Sequence, residues 1–488
     1  MRTKALMALS VSLVCLAGVS DVEAQNRTRS ISQSTQAQAA QQHPALVQEF
    51  GGELEGARGA YVRNVGARVT AQTNISGGSN SFRVTALNSP VMNAFAVPGG
   101  YLYFTRQLLA LMNDEAELAS VVGHEAGHIT ARHSAERQRS NILTQLGALV
   151  VGVVTGSGQL AQVAGQAAQI VTLRYSRGQE LEADALGVRY MTAAGYDPAA
   201  SASLLNSLGA WSDLEPRFNG GNVDQRSTPS WARTHPLSAD RVRRSTTEAQ
   251  RTGRVGQGLR NREQHLAAIN GMIFDDDPAQ GVIEGRDFLH PDLRLGFTIP
   301  QGFQMQNGAR AVTIVGQTGQ AQFSTGSFNG NLSTYVGQVF QALGGQQQRI
   351  PYAQPQSTTI NGIPAAYSSA RVQSQQGVVD VTVVAYQMES NRAYHFAMIT
   401  RAGTGLGAFE PMVASVRRLS TQQAAAIRPR IIQIHTVRAG DTIASLSGRM
   451  AYTSFQQERF RTLNGLAANS ALRPGDRVKL VVYGTRQS

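Results

Sequence analysis

Cysteine is almost missing from this chain: Cys15 is the single one among 488 residues. A disulfide framework and a thiol nucleophile are therefore excluded for everything beyond the N-terminal segment, and any metal must be held by histidine and carboxylate. Charged residues are also sparse at 16 %, against 42 % hydrophobic, a balance that excludes wholesale disorder and allows real cores. Acidic excess is absent too. With 44 Lys+Arg against 32 Asp+Glu the formal charge is +12, but the arginines are scattered and no zinc finger or RNA-binding signature accompanies them, which argues against nucleic acid as a partner. Beyond the N-terminus no apolar run approaches the ~20 residues that a membrane helix requires. The longest, Ile142–Val154, is Gly-interrupted and read as core packing, with a peripheral membrane contact as the alternative.

What is present begins with Arg2 and Lys4, the apolar run Ala5–Ser20, and small residues at Val22-Glu23-Ala24. That order predicts a signal peptide over 1–24 and an exported protein of the periplasm or cell envelope. Residues 25–44 are Gln/Ser-rich and read as a flexible leader. A chain of this length exceeds one core, and three units are expected, over 45–262, 263–427 and 430–484. The first is mainly helical: a helix over about Leu46–Thr73, a strand at Phe82–Leu87, a hairpin from Ala94 to Phe104 turning at Pro98-Gly99-Gly100, and helices from Asp114 and over Gln179–Ala194. After Asp275-Asp276-Asp277-Pro278 the texture becomes alternating strands with Gly, Gln and Ser between them.

Chemistry concentrates in Gly123-His124-Glu125-Ala126-Gly127-His128. Asp114 with Glu117 three positions on makes a capping-box-like helix start. Four residues are about one turn, so His124 and His128 share a face and can grip one metal ion. Glu125 is offset by roughly 100° and stands beside the ion, where it can take a proton from water. A catalytic zinc wants three protein ligands and one open position. The metzincin spacing would need Gly at 131 and His at 134, but these are Ala131 and Ser134, so His133 is out of register for a ligand. A carboxylate from another helix is needed, and Glu180-Leu181-Glu182-Ala183-Asp184 supplies candidates. Glu180 can bind the metal while Asp184, one turn on, accepts a hydrogen bond from the far nitrogen of a ligand histidine. Spacing alone does not separate Glu180 from Glu182.

GHEAGHITARHS together with YSRGQELEADALG at 175–187 resembles the gluzincin metallopeptidases grouped with HtpX and the CAAX prenyl proteases. The resemblance covers about 45–260 and implies one zinc ion per chain, polypeptide substrates, and Glu180 as third ligand. Asn93, Ala94, Phe95 and Ala96, followed by Val97-Pro98-Gly99-Gly100, match the family's substrate-pairing edge strand. Thr234-His235-Pro236 with Arg241 matches its THPxxxxR element, which implies that His235 approaches the metal, either steadying the transition state or plugging the open position. Without spanning segments, the chain looks closer to the exported branch typified by BepA and LoiP. Residues 435–483 resemble a LysM module, a βααβ unit that binds peptidoglycan or other N-acetylglucosamine polymers, and Phe288–Phe303 is similar to a Mog1/PsbP-like sandwich.

The expected fold class is thus α+β multidomain: a mainly helical zincin domain with a small hairpin sheet, an α+β sandwich, and a βααβ module. The expected function is a zinc metalloendopeptidase of misfolded or misassembled exported proteins, tethered to the wall. A peptidoglycan hydrolase and a chaperone with a closed site are the competing readings.

Overall fold

A computed structural model of the chain describes residues 29–133, 175–218, 235–236, 238–344, 349–374 and 377–485. The expected signal peptide, the segment Ile142–Val154 and most of the Gly/Asn/Ser/Thr-rich stretch 218–234 lie outside these. Among the described residues no helix is long and apolar enough to cross a membrane.

Among the described residues the first helix is α1 (Gln33–Glu49), so the flexible leader expected over 25–44 is corrected from residue 33 on. Ser32 caps its first turn, and Ala39 and Leu46 bury themselves against the sheet that follows. The single helix expected over Leu46–Thr73 is two helices: Gly51 and Gly52, at φ +83° and +97°, turn the chain before α2 (Gly56–Thr70). Strands β1 (Arg83–Leu87), β2 (Ala94–Val97) and β3 (Tyr101–Thr105) form a sheet ordered β1-β3-β2. The expected hairpin is present, with Gly99 and Gly100 both at positive φ in the turn. β2 is an edge strand, paired only with β3 among the described residues.

Short helix α3 (Arg106–Leu111) leads to α4 (Glu115–Thr130), the helix that carries both motif histidines. Asp114 caps α4, accepting from Glu117 N at 3.0 Å, and the Glu117 carboxylate accepts from Asn113 N at 2.8 Å. Helices α5 (Arg177–Ala193), α6 (Ala199–Phe218), α7 (Ala239–Arg251) and α8 (Arg262–Ile269) complete the helical layer.

The middle unit is a sandwich. Strand β4 (Ile273–Phe274) precedes it, and β5 (Val282–Glu284), β6 (Asp287–His290) and β7 (Leu295–Thr298) form a small sheet with β15 (Arg417–Arg418). The larger sheet is antiparallel and ordered β11-β12-β13-β14-β10-β9-β8, built from β8 (Gln304–Asn307), β9 (Val312–Gly316), β10 (Gly319–Ser327), β11 (Gln356–Ile360), β12 (Ile363–Ser374), β13 (Gly377–Gln387) and β14 (Arg392–Arg401). Phe288, Phe297, Phe323 and Phe396 fill the space between the sheets, while α9 (Leu332–Gly344) lays Val336 and Phe340 on the other face of the larger one.

The last unit has the expected βααβ order: β16 (Arg430–Thr436), α10 (Ile443–Ser447), α11 (Gln456–Leu463) and β17 (Arg477–Tyr483). It does not stand apart. β16 pairs with β4, and Ile432, Leu446, Phe460 and Leu480 share one apolar core with Leu108, Leu111 and Trp211 of the helical layer. Lys479 Nζ is fully buried and donates to the carbonyls of Ala110, Leu111 and Met112 at 2.7–2.9 Å, closing the C-terminus of α3.

The aspartate run, which reads as a domain boundary in sequence, is where the three units meet. Asp275 accepts from Gln107 at 3.1 Å and from the Tyr452 hydroxyl at 2.7 Å, and pairs with Arg430 at 3.3 Å. Asp277 accepts from Asn88, whose Oδ1 in turn accepts from the buried Arg106.

Candidate metal centre

Two helices carry the site, and glycine lets them approach. On α4, Gly123 and Gly127 flank the histidines, and a Cβ on Gly123 would stand 2.8 Å from the carbonyl of Gly187 on α5. A Cβ on Gly127 would be 3.1 Å from that of Ala183. The backbones therefore touch, and His124 and His128 on one face of α4 meet Glu180 and Asp184 on one face of α5.

His124, His128, Glu180 and His235 each turn one donor atom into a common space, all within 4.8 Å of one another, and all four are buried. His124 Nε2 lies 3.1 Å from His128 Nε2 and 3.2 Å from His235 Nδ1. Glu180 Oε1 is 2.9 Å from His235 Nδ1 and 3.4 Å from His128 Nε2. A zinc tetrahedron with bonds near 2.0–2.1 Å has edges of about 3.3 Å. The donor set fits that ion, with His235 a fourth donor beside His124, His128 and Glu180.

The surroundings fix each donor's protonation. The far nitrogen of His124 stands 2.9 Å from Asp184 Oδ1, a carboxylate that favours the proton on Nδ1 and leaves the Nε2 lone pair turned inward. Behind His128, Nδ1 meets His133 Nδ1 at 2.9 Å, and His133 Nε2 meets Glu182 at 3.3 Å. One tautomer satisfies both contacts: His128 donates to His133, and His133 donates to the carboxylate. Burial holds His128 well below the ordinary histidine range, which keeps it the neutral imidazole a metal needs. Tyr175 stacks on the same ring, 3.6 Å between centroids and 13° from parallel.

Arg241 ties the two carboxylates together. Its Nε and Nη2 donate to Asp184 at 2.8 Å each, and its Nη1 reaches Glu180 Oε2 at 2.7 Å. Burial alone would raise both acids; the guanidinium and His124 hold Asp184 down to about 2, and His235, His128 and His124 hold Glu180 well below the usual carboxylate range. Glu125 is fully buried next to the cluster, its Oε1 3.5 Å from His235 Nε2.

The other predicted residues lie as follows. Ala94, Phe95 and Ala96 pair with Phe104, Tyr103 and Leu102 across the hairpin. Asn93 precedes them, its main chain tied to Thr105, while both polar atoms of its buried side chain have no hydrogen-bond partner among the described residues. Sequence reasoning did not assign Tyr175, the His133–Glu182 pair or Arg29, whose guanidinium donates to the Thr130 carbonyl at the end of α4 at 2.6 Å. The only signal for the first two was their place inside the quoted motifs.

Residues 57–249 match the model of Peptidase family M48. The chain is 31 % identical over 191 residues to a β-barrel assembly-enhancing protease of Yersinia pestis, covering 37 % of each protein. It is 35 % identical over 129 residues to the mitochondrial metalloendopeptidase OMA1 of Arabidopsis thaliana, covering 26 % of each. The matching stretch thus spans only about a third of these relatives' own length. A PsbP solution structure from Synechocystis sp. PCC 6803 aligns with 28 % of this chain and 98 % of its own, at 10 % identity and a TM-score of 0.23, too slight a likeness to carry weight. The stretch matched by the family model holds all four donors of the cluster, a set that fits a zinc site.

Proposed function

We propose that the chain is a zinc-dependent endopeptidase of the bacterial cell envelope that cleaves misfolded or misassembled exported proteins. The observation that carries this reading is the buried four-donor set His124, His128, Glu180 and His235 with Glu125 beside it. When bound there, zinc supplies Lewis acidity, drawing the pKa of water towards about 7 and polarising the scissile carbonyl. Glu125 takes the proton of the attacking water and returns it to the leaving amine. Asp184 and Arg241 fix the His124 tautomer and the Glu180 carboxylate, so neither ligand has to reorganise during the reaction. We read β2, an edge strand among the described residues, as the strand with which an extended peptide substrate pairs.

His235 fills the corner that a catalytic zinc leaves open. In this arrangement it acts as a plug: the resting enzyme is closed, and substrate binding has to draw His235 aside. The name of the Yersinia relative, which speaks of β-barrel assembly, supports envelope proteins as the clients. The βααβ unit, 430–484, is read as the contact to peptidoglycan.

Casein digestion by the zinc-loaded protein, run beside purified sacculi, tests the class of reaction. Casein cleavage that disappears in Glu125→Gln while zinc content stays near one per chain supports the reading. Release of muropeptides with casein untouched would assign the site to wall hydrolysis instead.

A further inference from the structure

Edge strands leave main-chain donors and acceptors unpaired, and proteins usually blunt them with charge, proline or a covering element. The larger sheet of the middle unit ends on one side in β11, paired only with β12 among the described residues. Gln356, Ser357, Thr358 and Thr359 of this strand are all exposed, whereas β8 at the opposite end of the sheet is partly covered. Neither a charged residue nor a proline lies within β11. Its outward groups follow from the turn. Asn361 and Gly362, at φ +49° and +74°, make a two-residue hairpin loop, so Ile360 and Ile363 form the hydrogen-bonded closing pair. Hydrogen-bonded and open pairs alternate from there, which turns the N–H and C=O of Ser357 and Thr359 away from β12. Pro364 stands opposite Thr359, in an open pair that asks no N–H of it.

Two of the large exposed apolar side chains flank this edge, one on each face. Tyr352, 40 % exposed and four residues before the strand, stacks on Phe340 of α9 at 4.6 Å and 7°. Tyr367, 39 % exposed, lies on the opposite face, cross-strand from Gln356, whose Oε1 accepts from its hydroxyl at 2.6 Å. Open main-chain groups bordered by aromatic rings on both faces suit an added strand: the ladder supplies affinity and the flanking side chains supply selection. We infer that β11 is a docking edge that takes one extended, uncharged polypeptide segment as an eighth strand of this seven-stranded sheet. That the segment belongs to a client of the metal centre rests on the peptidase reading above. A second copy of this chain is disfavoured as occupant, because each copy carries a formal charge of +12 and β11 offers no anion to offset it. The middle unit then holds a client by its main chain, which any unfolded sequence can offer.

Fluorescence anisotropy of the full chain in the Glu125→Gln background, where nothing is cleaved, tests this with a labelled peptide of alternating Thr and Val long enough to span β11. A second probe carries a methyl group on every amide nitrogen, so it keeps the side chains and loses the ladder. The first probe is expected to bind, and the second at least about tenfold more weakly. Thr359→Pro removes an outward N–H without touching the β11–β12 ladder, and Ser357→Lys puts a charge on the edge; each should weaken the first probe by at least about tenfold. Equal binding of the two probes, or no binding at millimolar concentration, overturns the inference without reference to either edge variant. Binding unchanged in both variants places the peptide elsewhere and overturns it as well. Sedimentation equilibrium supplies the remaining outcome: a dimer that Thr359→Pro converts to monomer would give the edge to a second copy and overturn the client reading. Since no turnover is read, failure here is a separate result from any loss of casein cleavage at the metal centre.

Discussion

Arg241 neutralises two buried carboxylates at once, and through them it reaches both a metal ligand and the partner of a metal ligand. Asp184→Asn keeps the shape but not the charge, so the His124 tautomer loses its anchor. Zinc affinity is expected to fall by about 10–100-fold, read by competition with a chromophoric chelator. Glu125→Gln touches no donor and should leave that affinity unchanged while turnover drops by about 10²–10⁴-fold. His235→Ala should raise the initial rate of casein cleavage at unchanged zinc content, because the plug is gone; a drop would favour a role in catalysis. Far from the metal, His395 is fully buried and burial holds it down to about 4. In the unfolded chain it takes a proton below about 6.5, so its contribution to stability is complete above that value and is lost as pH falls towards 4. At pH ~5 the loss is about 2 kcal/mol from this residue alone. Melting curves between pH ~7.5 and ~5 should show a shallower decline in His395→Gln than in the parent. At this scale the sequence was largely readable, because helical periodicity alone decides that residues 124 and 128, and 180 and 184, share faces. It did not reveal that Glu182 serves His133, since that contact depends on how the two helices cross.

The crossing of α4 and α5 is set by what is missing from their surfaces. Gly123 and Gly187 lie backbone to backbone, and a methyl group on Gly187 would meet the amide nitrogen of His124 at 2.9 Å. Neither helix can yield there without moving a ligand. Gly187→Ala is expected to cost about 1–3 kcal/mol by overpacking and to weaken zinc binding along with it, whereas Gly209→Ala on α6, with open space around it, should do neither. Thermal denaturation with and without a chelator separates the two effects. Glycine inside a helical pattern reads locally only as a weak point; its use as a contact surface becomes visible once the second helix is in place. The break between α1 and α2 was missed for a related reason: apolar spacing runs through residues 46–73, and only the positive φ of Gly51 and Gly52 stops it.

Across the whole molecule the C-terminal unit behaves as part of the peptidase core. The βααβ pattern over 430–484 reads as a third unit of its own, but sequence patterns do not record which apolar face packs on which. Here Leu446, Phe460 and Leu480 complete a core begun by α3, α4 and α6, and β16 extends the sheet started by β4. Lys479 is the sharpest test. Its ammonium satisfies three carbonyls at the end of α3, two to four residues before Asp114, the cap of the metal-bearing helix. Lys479→Met keeps the stem and leaves those carbonyls without a donor, at a cost of about 3 kcal/mol. Removal of residues 430–485 strips the shared core and frees the edge of β4. If the unit were an appended wall anchor, the truncated chain would keep zinc and casein cleavage and lose only sedimentation with sacculi. The packing predicts otherwise: the truncated chain should aggregate or bind no zinc, and Lys479→Met should lower the melting temperature of the peptidase unit even though the substitution lies over 350 residues away from His124 in the chain.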